Sequence, residues 1–561
     1  MTIKPFVFRH FVLLLTLLGL CFALTHVRLA WTDGDEGRYL AISSSIAKGL
    51  GQVEEYFPEP IPETITPSGY VWYLATWIRV FGPRLEWVRL SSVLPFVGFV
   101  ACFAALVCKR TRRSGIGLWL AGCLVVFGAF QVQLLRYAWN LMSETSFLFL
   151  TYIFFVCQER PEEGKESVWD ATLLGVLAAA ATLVRPVGIA LALAAGVYYF
   201  FRKKWKLLLV FVVAFALLYS LQIIRTYQIL GVPFAHMSHY GTDDGSVGHS
   251  ILNLVVDIWR GGMGYFFHNL PCDLFFSFFG TDGLLGRMHC PFLSLPLMWI
   301  VADMVLLGAM RRFRVPRMAE WFWLFYWLLV CSYNNVKGEP SSIGNYFFQP
   351  RYLAPVIPLA ALYFADGLDL LATRLAHGAR WAVCTRNAIL VAAAAYALLT
   401  SLLVSGICLR NAWRFRNFVA WAPERVQSSG DECDIAFARY IEMGDWAGSH
   451  LPSNAIIASR KPQHTLLFSR LKGFRYDMDW ISPDVHDVWQ NALAYGRYGP
   501  VYLLQDAFPA YSGYGNTRVH VLDPVIANHQ DELRLVHATE DPVTRLWLIS
   551  STVKEDVHSS H

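Results

Sequence analysis

Residues 11–49 read FVLLLTLLGLCFALTHVRLAWTDGDEGRYLAISSSIAKG. The first half of this stretch is apolar and long enough to cross a bilayer as a helix. Lys4 and Arg9 precede it, and basic residues stay on the cytoplasmic side of a membrane, so this helix is expected to run outward. Three carboxylates arrive where the apolar run ends: Asp33, Asp35 and Glu36. The stretch therefore predicts a membrane protein with an acidic group at its outer surface.

The composition extends this prediction to the whole chain. Its 561 residues are 55% hydrophobic and only 16% charged, with a mean hydropathy of +0.39. Soluble domains carry about 25% charged residues. The net charge of +5 comes from short clusters between apolar runs, which set topology. No basic stripe interleaved with aromatics indicates nucleic-acid binding, and none of the 11 cysteines has the spacing of a metal site.

The apolar runs predict about eleven membrane-spanning helices. The expected spans are 8–29, 88–108, 115–133, 144–158, two shorter helices within 169–201, then 207–224, 292–310, 318–333, 352–372 and 387–408. The two shorter helices are expected to meet outside at Arg185-Pro186, because the basic segment 202–206 then lies inside. The aromatic segment 66–81 is too short to span and carries an arginine, so it is expected to lie as a helix on the outer surface.

The domain organisation follows from these spans. All basic clusters fall on one side of the membrane, with KRTRR at 109–113 the most pronounced. Residues 1–409 are predicted to form a transmembrane domain with outer loops at 30–87 and 225–290. Residues 410–561 contain the strand-like runs NAIIAS, GPVYLLQD and TRLWLIS between polar stretches, and are predicted to form a soluble α/β domain outside.

The outer charges have two interpretations. Carboxylates at a helix N-terminus are stabilised by the helix dipole, so Asp35 and Glu36 can simply cap the helix that follows the first span. However, Tyr39 follows them by one turn, and arginines recur at the predicted outer ends of other spans: Arg136, Arg185, Arg225 and Arg351. Arginine is expected on the cytoplasmic side, and outer arginines indicate a bound anion such as a phosphate.

With these residues the chain resembles the GT-C superfamily of integral-membrane glycosyltransferases, in particular the group containing protein O-mannosyltransferases and the lipid A aminoarabinose transferase. The resemblance covers about residues 10–510 and rests on ordered motifs: DEGRY (35–39), TPSGYVWYLATWIRVFG (66–82), RYAWNLMSETSF (136–147), LVRPVG (183–188), RYLAPVIPL (351–359) and LPSNAIIASRKPQHTLLFSRLKG (451–473). Relatives often carry a lysine before the proline of the second motif, where it meets the donor phosphate. Thr66 stands there in this chain.

The resemblance implies a GT-C-like fold and a reaction. A sugar would pass from a polyprenyl-phosphate donor to a hydroxyl of a lipid, glycan or protein acceptor on the outer face, by an inverting displacement. Asp35 is the expected general base, and Glu36 would orient it or pair with an arginine. The other candidate catalytic carboxylates are Asp33 and Glu144. The residues expected to bind the donor phosphate are Arg225, Arg351, Arg185, Lys337 and Tyr352.

Several alternatives stay open at this point. Glu144 can be a neighbour of a helix N-cap, Arg185 can extend its charge to the membrane surface, and Arg351 with Tyr352 can be structural. Asp33-Gly34-Asp35 offers oxygen ligands to a divalent cation such as Mg²⁺, Mn²⁺ or Zn²⁺, and some superfamily members use a metal whereas others do not. The outer loop carries two cysteines, Cys272 and Cys290, which are expected to pair if that face is oxidising.

Competing functions are a lipid-linked sugar flippase or transporter and a polysaccharide ligase. Transporters tend to place ionisable residues near the bilayer midplane, often within inverted repeats. This chain has its charges at the outer ends of spans and shows no internal repeat. A ligase also uses lipid-linked sugars, and the sequence does not separate it from a transferase. The outer segments contain no Asn-x-Ser/Thr sequon, which favours a bacterial inner membrane.

Overall fold

The computed structural model describes residues 5–24, 34–64, 66–113, 117–159, 166–231, 270, 291–336, 353–374, 379–414, 432–476, 485–506, 522–540 and 543–552. The described helices begin with α1 Pro5–Leu24, α2 Gly34–Ala47, α3 Ser68–Phe81, α4 Leu85–Arg113, α5 Leu118–Ala129, α6 Val132–Trp139, α7 Ser143–Gln158, α8 Val168–Val184 and α9 Ile189–Phe201. They continue with α10 Trp205–Leu230, α11 Pro291–Arg312, α12 Met318–Val336, α13 Ile357–Arg374, α14 Arg380–Arg414, α15 Glu432–His450, α16 Pro462–Ser469, α17 Val485–Tyr495 and α18 Asp523–Asn528. The chain divides into two compact units.

The first unit comprises residues 1–29, 64–73 and 81–412, and its described part is helical. Three of the described helices are long and apolar enough to cross a membrane: Trp87–Thr111, Trp205–Leu230 and Arg380–Leu403. Shorter apolar helices are Arg9–Leu24, Leu118–Ala129, Val168–Val184, Pro186–Phe201 and Met318–Val330. The chain is therefore a helical integral membrane protein, as the composition indicated. The predicted total of about eleven spans stays a prediction, as does the place of α3 on the membrane surface.

The pair of helices predicted within 169–201 is present. The helix α8 ends at Val184, and a 3₁₀ turn at Pro186–Gly188 leads into α9. Proline has no backbone N–H and disfavours a helical conformation in the residue before it. Arg185 accordingly has extended dihedral angles, with φ −146° and ψ 128°, and this break gives Arg185 its position.

The helix in the predicted span 115–133 is shorter than expected, because α5 ends at Ala129 and a separate helix, α6, begins at Val132. The break falls at Phe130-Gln131, where Gln131 leaves the helical conformation. The Gln131 side-chain amide donates to the carbonyl of Phe127 at 2.7 Å. The hydroxyl of Ser401 in α14 donates to the carbonyl of Phe130. These two bonds satisfy carbonyls that the break would otherwise leave without partners. The bond from Ser401 is a tertiary contact that the local sequence does not reveal.

The predicted loop 225–290 begins later than expected. The helix α10 continues to Leu230 and ends at Gly231, which has a left-handed φ of 71° and donates its N–H to the carbonyl of Tyr227. Glycine adopts this conformation without steric cost, which makes it a common helix terminator. Residues 232–269 and 271–290 lie outside the described residues, and Cys272 and Cys290 lie within the second of these gaps. Their pairing therefore stays a prediction.

Buried ion pairs join the helix ends that the sequence analysis assigned to the cytoplasm. Arg110 at the end of α4 donates to Glu159 at the end of α7 and to Glu320 at the start of α12, each at 2.8 Å. Further ion pairs join α11, α13 and α14. Arg311 of α11 and Arg386 of α14 both contact Asp369 of α13, and Arg312 of α11 contacts Asp366 of α13. The Arg110 cluster and the Asp366–Asp369 cluster each bring together helix ends that the predicted topology places on the same side of the membrane. The identity of that side as cytoplasmic stays a prediction.

Labelling of engineered cysteines tests this orientation. In a variant whose native cysteines are replaced, a membrane-impermeant maleimide added from outside should label Ser428→Cys and should not label Arg113→Cys. Permeabilised cells serve as the control, because both positions should react there. Labelling of Arg113→Cys alone in intact cells would place the acids of the opening stretch in the cytoplasm and end the account.

The second unit comprises residues 30–63, 74–80 and 413–561. Its larger sheet has the order β4-β3-β5-β7-β6, with strands β3 Ile456–Ser459, β4 Lys472–Arg475, β5 Val501–Gln505, β6 Leu533–Ala538 and β7 Arg545–Ile549. The strands β4, β3 and β5 are parallel, whereas β7 and β6 are antiparallel to their neighbours. Apolar cores cover both faces, one built with Trp489 of α17 and the other with Met443 of α15. The three strand-like runs of the sequence thus form β3, β5 and β7 of an α/β unit.

The division into units differs from the predicted domains in one respect. The sequence predicts residues 30–87 as a loop of the transmembrane domain, whereas 30–63 and 74–80 belong to the second unit. A small hairpin of β1 Val53–Glu54 and β2 Ile61–Pro62 lies against the edge strand β4. There the N–H of Gly473 donates to the carbonyl of Tyr56 at 2.7 Å, and Lys472 Nζ donates to the carbonyl of Pro58 at 3.0 Å. The helix α2 with its acids is therefore part of the same unit as the C-terminal sheet.

Candidate functional site

The acidic stretch forms the first turn of α2. Asp35 and Glu36 both lie in that turn, where the helix dipole stabilises negative charge. Asp35 is half-buried, and Glu36 is fully buried. Full burial is unusual for a carboxylate that only caps a helix, because a buried charge must be compensated by close partners. Asp33 lies outside the described residues.

Arg38, one turn further along α2, is the centre of a buried polar cluster. Its Nη2 lies 2.8 Å from Glu63 Oε1 and 3.5 Å from Glu54 Oε1, and Gln52 Nε2 donates to Glu63 Oε2 at 3.0 Å. Burial alone would lower the pKa of Arg38, but the carboxylates of Glu63 and Glu54 outweigh it and raise the pKa above its ordinary value. The guanidinium therefore stays charged and ties the hairpin to α2.

Glu144 and Arg185, predicted separately, form an ion pair with each other. Glu144 lies in the first turn of α7, and its side chain is 2% exposed. Arg185 Nη1 contacts Glu144 Oε1 from the break between α8 and the 3₁₀ turn, and its side chain is 14% exposed. The sequence analysis predicts Glu144 as a catalytic carboxylate on the outer face and Arg185 as a ligand of the donor phosphate. The buried carboxylate of Glu144 thus fixes the direction of the Arg185 guanidinium.

Arg225 lies on the last two turns of α10, which elsewhere exposes mostly apolar side chains. Gln222 and Thr226 beside it are buried, and Gln222 Nε2 donates to Thr226 Oγ1 at 3.4 Å. Arg225 itself is half-buried. Arg225 is therefore a half-buried charge beside two buried polar side chains, near the end of a helix whose exposed side chains are mostly apolar.

The remaining predicted residues lie outside the described part of the chain: Lys337, Arg351 and Tyr352. Thr66 is described and is 4% exposed, so its side chain brings no cation to the place where relatives often have a lysine. In the described ranges, no group of three or more histidine, cysteine or acidic side chains could hold a metal ion. Because Asp33 is not among the described residues, the predicted divalent cation at Asp33 and Asp35 stays a prediction.

The sequence analysis missed two contributions to the acidic turn. Arg38 belongs to the quoted DEGRY motif, but its partners Glu54 and Glu63 follow after a loop, and no spacing rule links them. His464 lies in the motif 451–473 and is fully buried against Gly37 of the acidic turn. Its separation from Gly37 along the chain left no sequence signal for this contact.

Arg185→Gln should weaken binding of a polyprenyl phosphate by about tenfold or more, because a charged hydrogen bond contributes about 1.5–3 kcal/mol. Binding can be measured with a fluorescent polyprenyl phosphate in detergent. Arg202→Gln, which removes an exposed arginine from the end of α9, should leave affinity unchanged. Unaltered affinity in Arg185→Gln would show that Arg185 only neutralises Glu144. If the two residues act as a unit, Glu144→Gln and the double variant should be non-additive.

Comparison with solved structures identifies the fold. The chain superposes on ArnT from Cupriavidus metallidurans bound to undecaprenyl phosphate with a TM-score of 0.56, covering 98% of this chain and 99% of ArnT at 13% sequence identity. It also matches the oligosaccharyltransferase of Archaeoglobus fulgidus in complex with Zn and sulfate, with a TM-score of 0.51, covering 97% of this chain and 74% of that one at 11% identity. No protein-family model and no curated protein sequence matches the chain.

These two solved structures are glycosyltransferases of the GT-C class. The protein therefore has the GT-C fold. The resemblance to the group that contains the lipid A aminoarabinose transferase ArnT is confirmed at the level of the fold. At 11–13% identity the similarity defines the architecture and not the reaction.

Proposed function

We propose that the protein is a membrane glycosyltransferase that takes a sugar from a polyprenyl-phosphate donor and transfers it to a hydroxyl group of a lipid, glycan or protein. The observation that carries this proposal is the acidic first turn of α2, with Asp35 half-buried and Glu36 fully buried, in a chain with the GT-C fold. ArnT was crystallised bound to undecaprenyl phosphate, which supports a donor of that lipid class. We assign the protein to a bacterial inner membrane, acting on its outer face.

The chemistry needs a base for the acceptor. In an inverting displacement the acceptor oxygen attacks the anomeric carbon, its proton passes to a carboxylate, and the bond from that carbon to the phosphate oxygen breaks. Asp35 is the proposed base, because it is the less buried acid of the turn and can be reached by an acceptor hydroxyl. Glu36 is proposed to orient Asp35 or to pair with an arginine, and no covalent intermediate is formed.

The chemistry also needs cations for the leaving group. The polyprenyl phosphate departs with growing negative charge, and fixed positive groups stabilise such charge most effectively when they are oriented in advance. Arg185, held by Glu144, meets this requirement. Arg225 is the second proposed ligand, and Lys337, Arg351 and Tyr352 complete the proposed set. A divalent cation at Asp33 and Asp35 is an addition that these steps do not require.

A comparison of two preparations tests the proposal against the flippase. Purified protein in detergent is given the polyprenyl-phosphate sugar pool and lipids extracted from the host membrane, and the same protein in sealed vesicles is given a labelled donor on one side. A transferase consumes the donor in detergent. Movement of intact donor across the vesicle membrane without consumption would establish the flippase instead. Transfer of long glycan chains rather than single sugars would indicate the ligase.

The same transfer assay also tests whether a divalent cation is required. If Asp33 and Asp35 hold a divalent cation, chelation should abolish transfer, added Mg²⁺, Mn²⁺ or Zn²⁺ should restore it, and Asp33→Asn should prevent that restoration. Transfer that is unaffected by chelator and by Asp33→Asn would leave Asp35 as a base without a metal.

A further inference from the structure

The acidic turn of α2 lies directly on a histidine of α16, and both belong to the second unit. Gly37 follows Glu36, and a Cβ placed on Gly37 would lie 2.5 Å from both Cε1 and Nε2 of His464 and 2.7 Å from Nδ1. Real Cβ atoms essentially never approach heavy atoms within 3.0 Å. Only glycine therefore fits at residue 37 while the imidazole keeps its place. The two chain segments are in contact at the residue next to the proposed catalytic acids.

His464 has little room to yield. It is fully buried in α16, the helix that follows strand β3. The next residue, Thr465, shares hydrogen bonds with Tyr440 of α15 at 2.7 Å and with Ser459 of β3 at 2.9 Å. The residue after β3, Arg460, is paired with Asp506 after β5 at 3.1 Å. The start of α16 is thus fixed to the sheet, and the full burial of His464 leaves its imidazole little space to move into.

The acidic helix is also fixed at its other contacts. Arg38 is tied to Glu63, and the final carbonyls of α2 accept from Arg79 of α3, with Nη2 2.7 Å from the oxygen of Ile46 and Nε 3.3 Å from that of Ala47. These bonds limit how α2 can slide or rotate. His464 contacts the first turn of α2 itself, at Gly37, beside Asp35 and Glu36.

We propose that His464 is a positioning residue for sugar transfer: by packing against Gly37 it sets where the first turn of α2 holds the Asp35 and Glu36 carboxylates. This inference rests on the proposed function for the role of Asp35. In this proposal, the C-terminal sheet of the second unit supports the catalytic turn through α16. A carboxylate displaced by about 1 Å loses about 10²-fold in rate, so a van der Waals contact at this point has kinetic consequences.

Three variants test the contact. His464→Ala removes the support, and Gly37→Ala pushes the turn away, so each should lower kcat for donor cleavage by about 10²-fold with donor KM unchanged. Combining them should recover at least about tenfold over Gly37→Ala, because the methyl group then occupies the space that the imidazole vacated. If His464→Ala does not fold, His464→Asn takes its place in both the single and the double variant. Hydrogen exchange of the amides of residues 35–40 should be faster in His464→Ala than in wild type.

Matched controls separate positioning from a general loss of structure. Gly196→Ala changes a helical glycine with no atom within 4 Å of the new Cβ, and His450→Ala removes an exposed histidine. Both should leave kcat and exchange unchanged. If the wild-type protein cleaves the donor and Gly37→Ala has the same kcat, the positioning role is wrong and the proposed function stands. The same conclusion follows if the kcat of the double variant is no higher than that of Gly37→Ala. Wild-type protein that cleaves no donor overturns the proposed function, and the positioning role with it.

Discussion

Asp35→Asn is expected to lower sugar transfer by about 10²–10⁴-fold, the contribution of a positioned general base. Asparagine keeps the size and hydrogen-bonding capacity of the side chain but cannot accept the acceptor proton. Donor affinity should survive, because the phosphate is assigned to arginines and not to this carboxylate. The effect should therefore appear in kcat, with donor KM close to that of wild type.

A matched control excludes the simpler interpretation that Asp35 only caps a helix. Asp170 also lies in a first helical turn, where its carboxylate accepts from the N–H of Ser167 at 2.8 Å in a capping box. Asparagine at this position keeps an oxygen that can accept from Ser167 and removes only the charge, which contributes about 0.3–1 kcal/mol at a helix N-terminus. Asp170→Asn should therefore lose at most about 1 kcal/mol of stability and keep normal transfer. If Asp35→Asn behaves like Asp170→Asn, the acids cap α2, and the base must be sought at Asp33, Glu36 or Glu144.

Arg110→Met is expected to destabilise the helical unit by about 3–5 kcal/mol, the cost of removing one partner from a buried ion pair. Arg110 is 3% exposed and bonds two carboxylates, Glu159 and Glu320, that are themselves buried. Without the guanidinium, two negative charges remain close together in a site with little water. The loss should appear as a lower unfolding midpoint in detergent and a lower folded yield.

The companion variants of Arg110 make this prediction specific. Adding Glu159→Gln and Glu320→Gln to Arg110→Met removes the uncompensated charges and should recover part of the loss. Arg380→Met, which removes an exposed arginine at the start of α14, should change the midpoint little. An unchanged midpoint in Arg110→Met would contradict the role of the ion pair in joining α4, α7 and α12.

Much of the helical architecture could be predicted from local sequence. Apolar run length predicted the helices of the first unit, and Arg185-Pro186 predicted the break between α8 and α9 because proline acts on its own neighbourhood. The break between α5 and α6 was not predicted, and one of the two bonds that satisfy its carbonyls comes from Ser401, far along the chain. Arg110 shows the same limit: as part of a basic cluster it indicated topology, but its burial between two carboxylates depends on helix packing.

The candidate site divides in the same way. The motif resemblance singled out Asp35, Glu36, Glu144 and Arg185 one by one, because each lies at a predictable end of a helix. The pairing of Glu144 with Arg185 required the three-dimensional arrangement of α7 and α8. The contact of Gly37 with His464 joins segments separated by most of the chain, and only tertiary structure reveals it.

The most direct test of the account is mass spectrometry of the donor lipid after incubation with purified protein. The polyprenyl-phosphate sugar pool and an acceptor lipid extract, both from the host membrane, are mixed with wild type or with Asp35→Asn. The account predicts that wild type converts the donor to polyprenyl phosphate, with the sugar mass appearing on an acceptor, and that Asp35→Asn does so about 10²–10⁴-fold more slowly. A donor that remains intact with wild-type protein would contradict it.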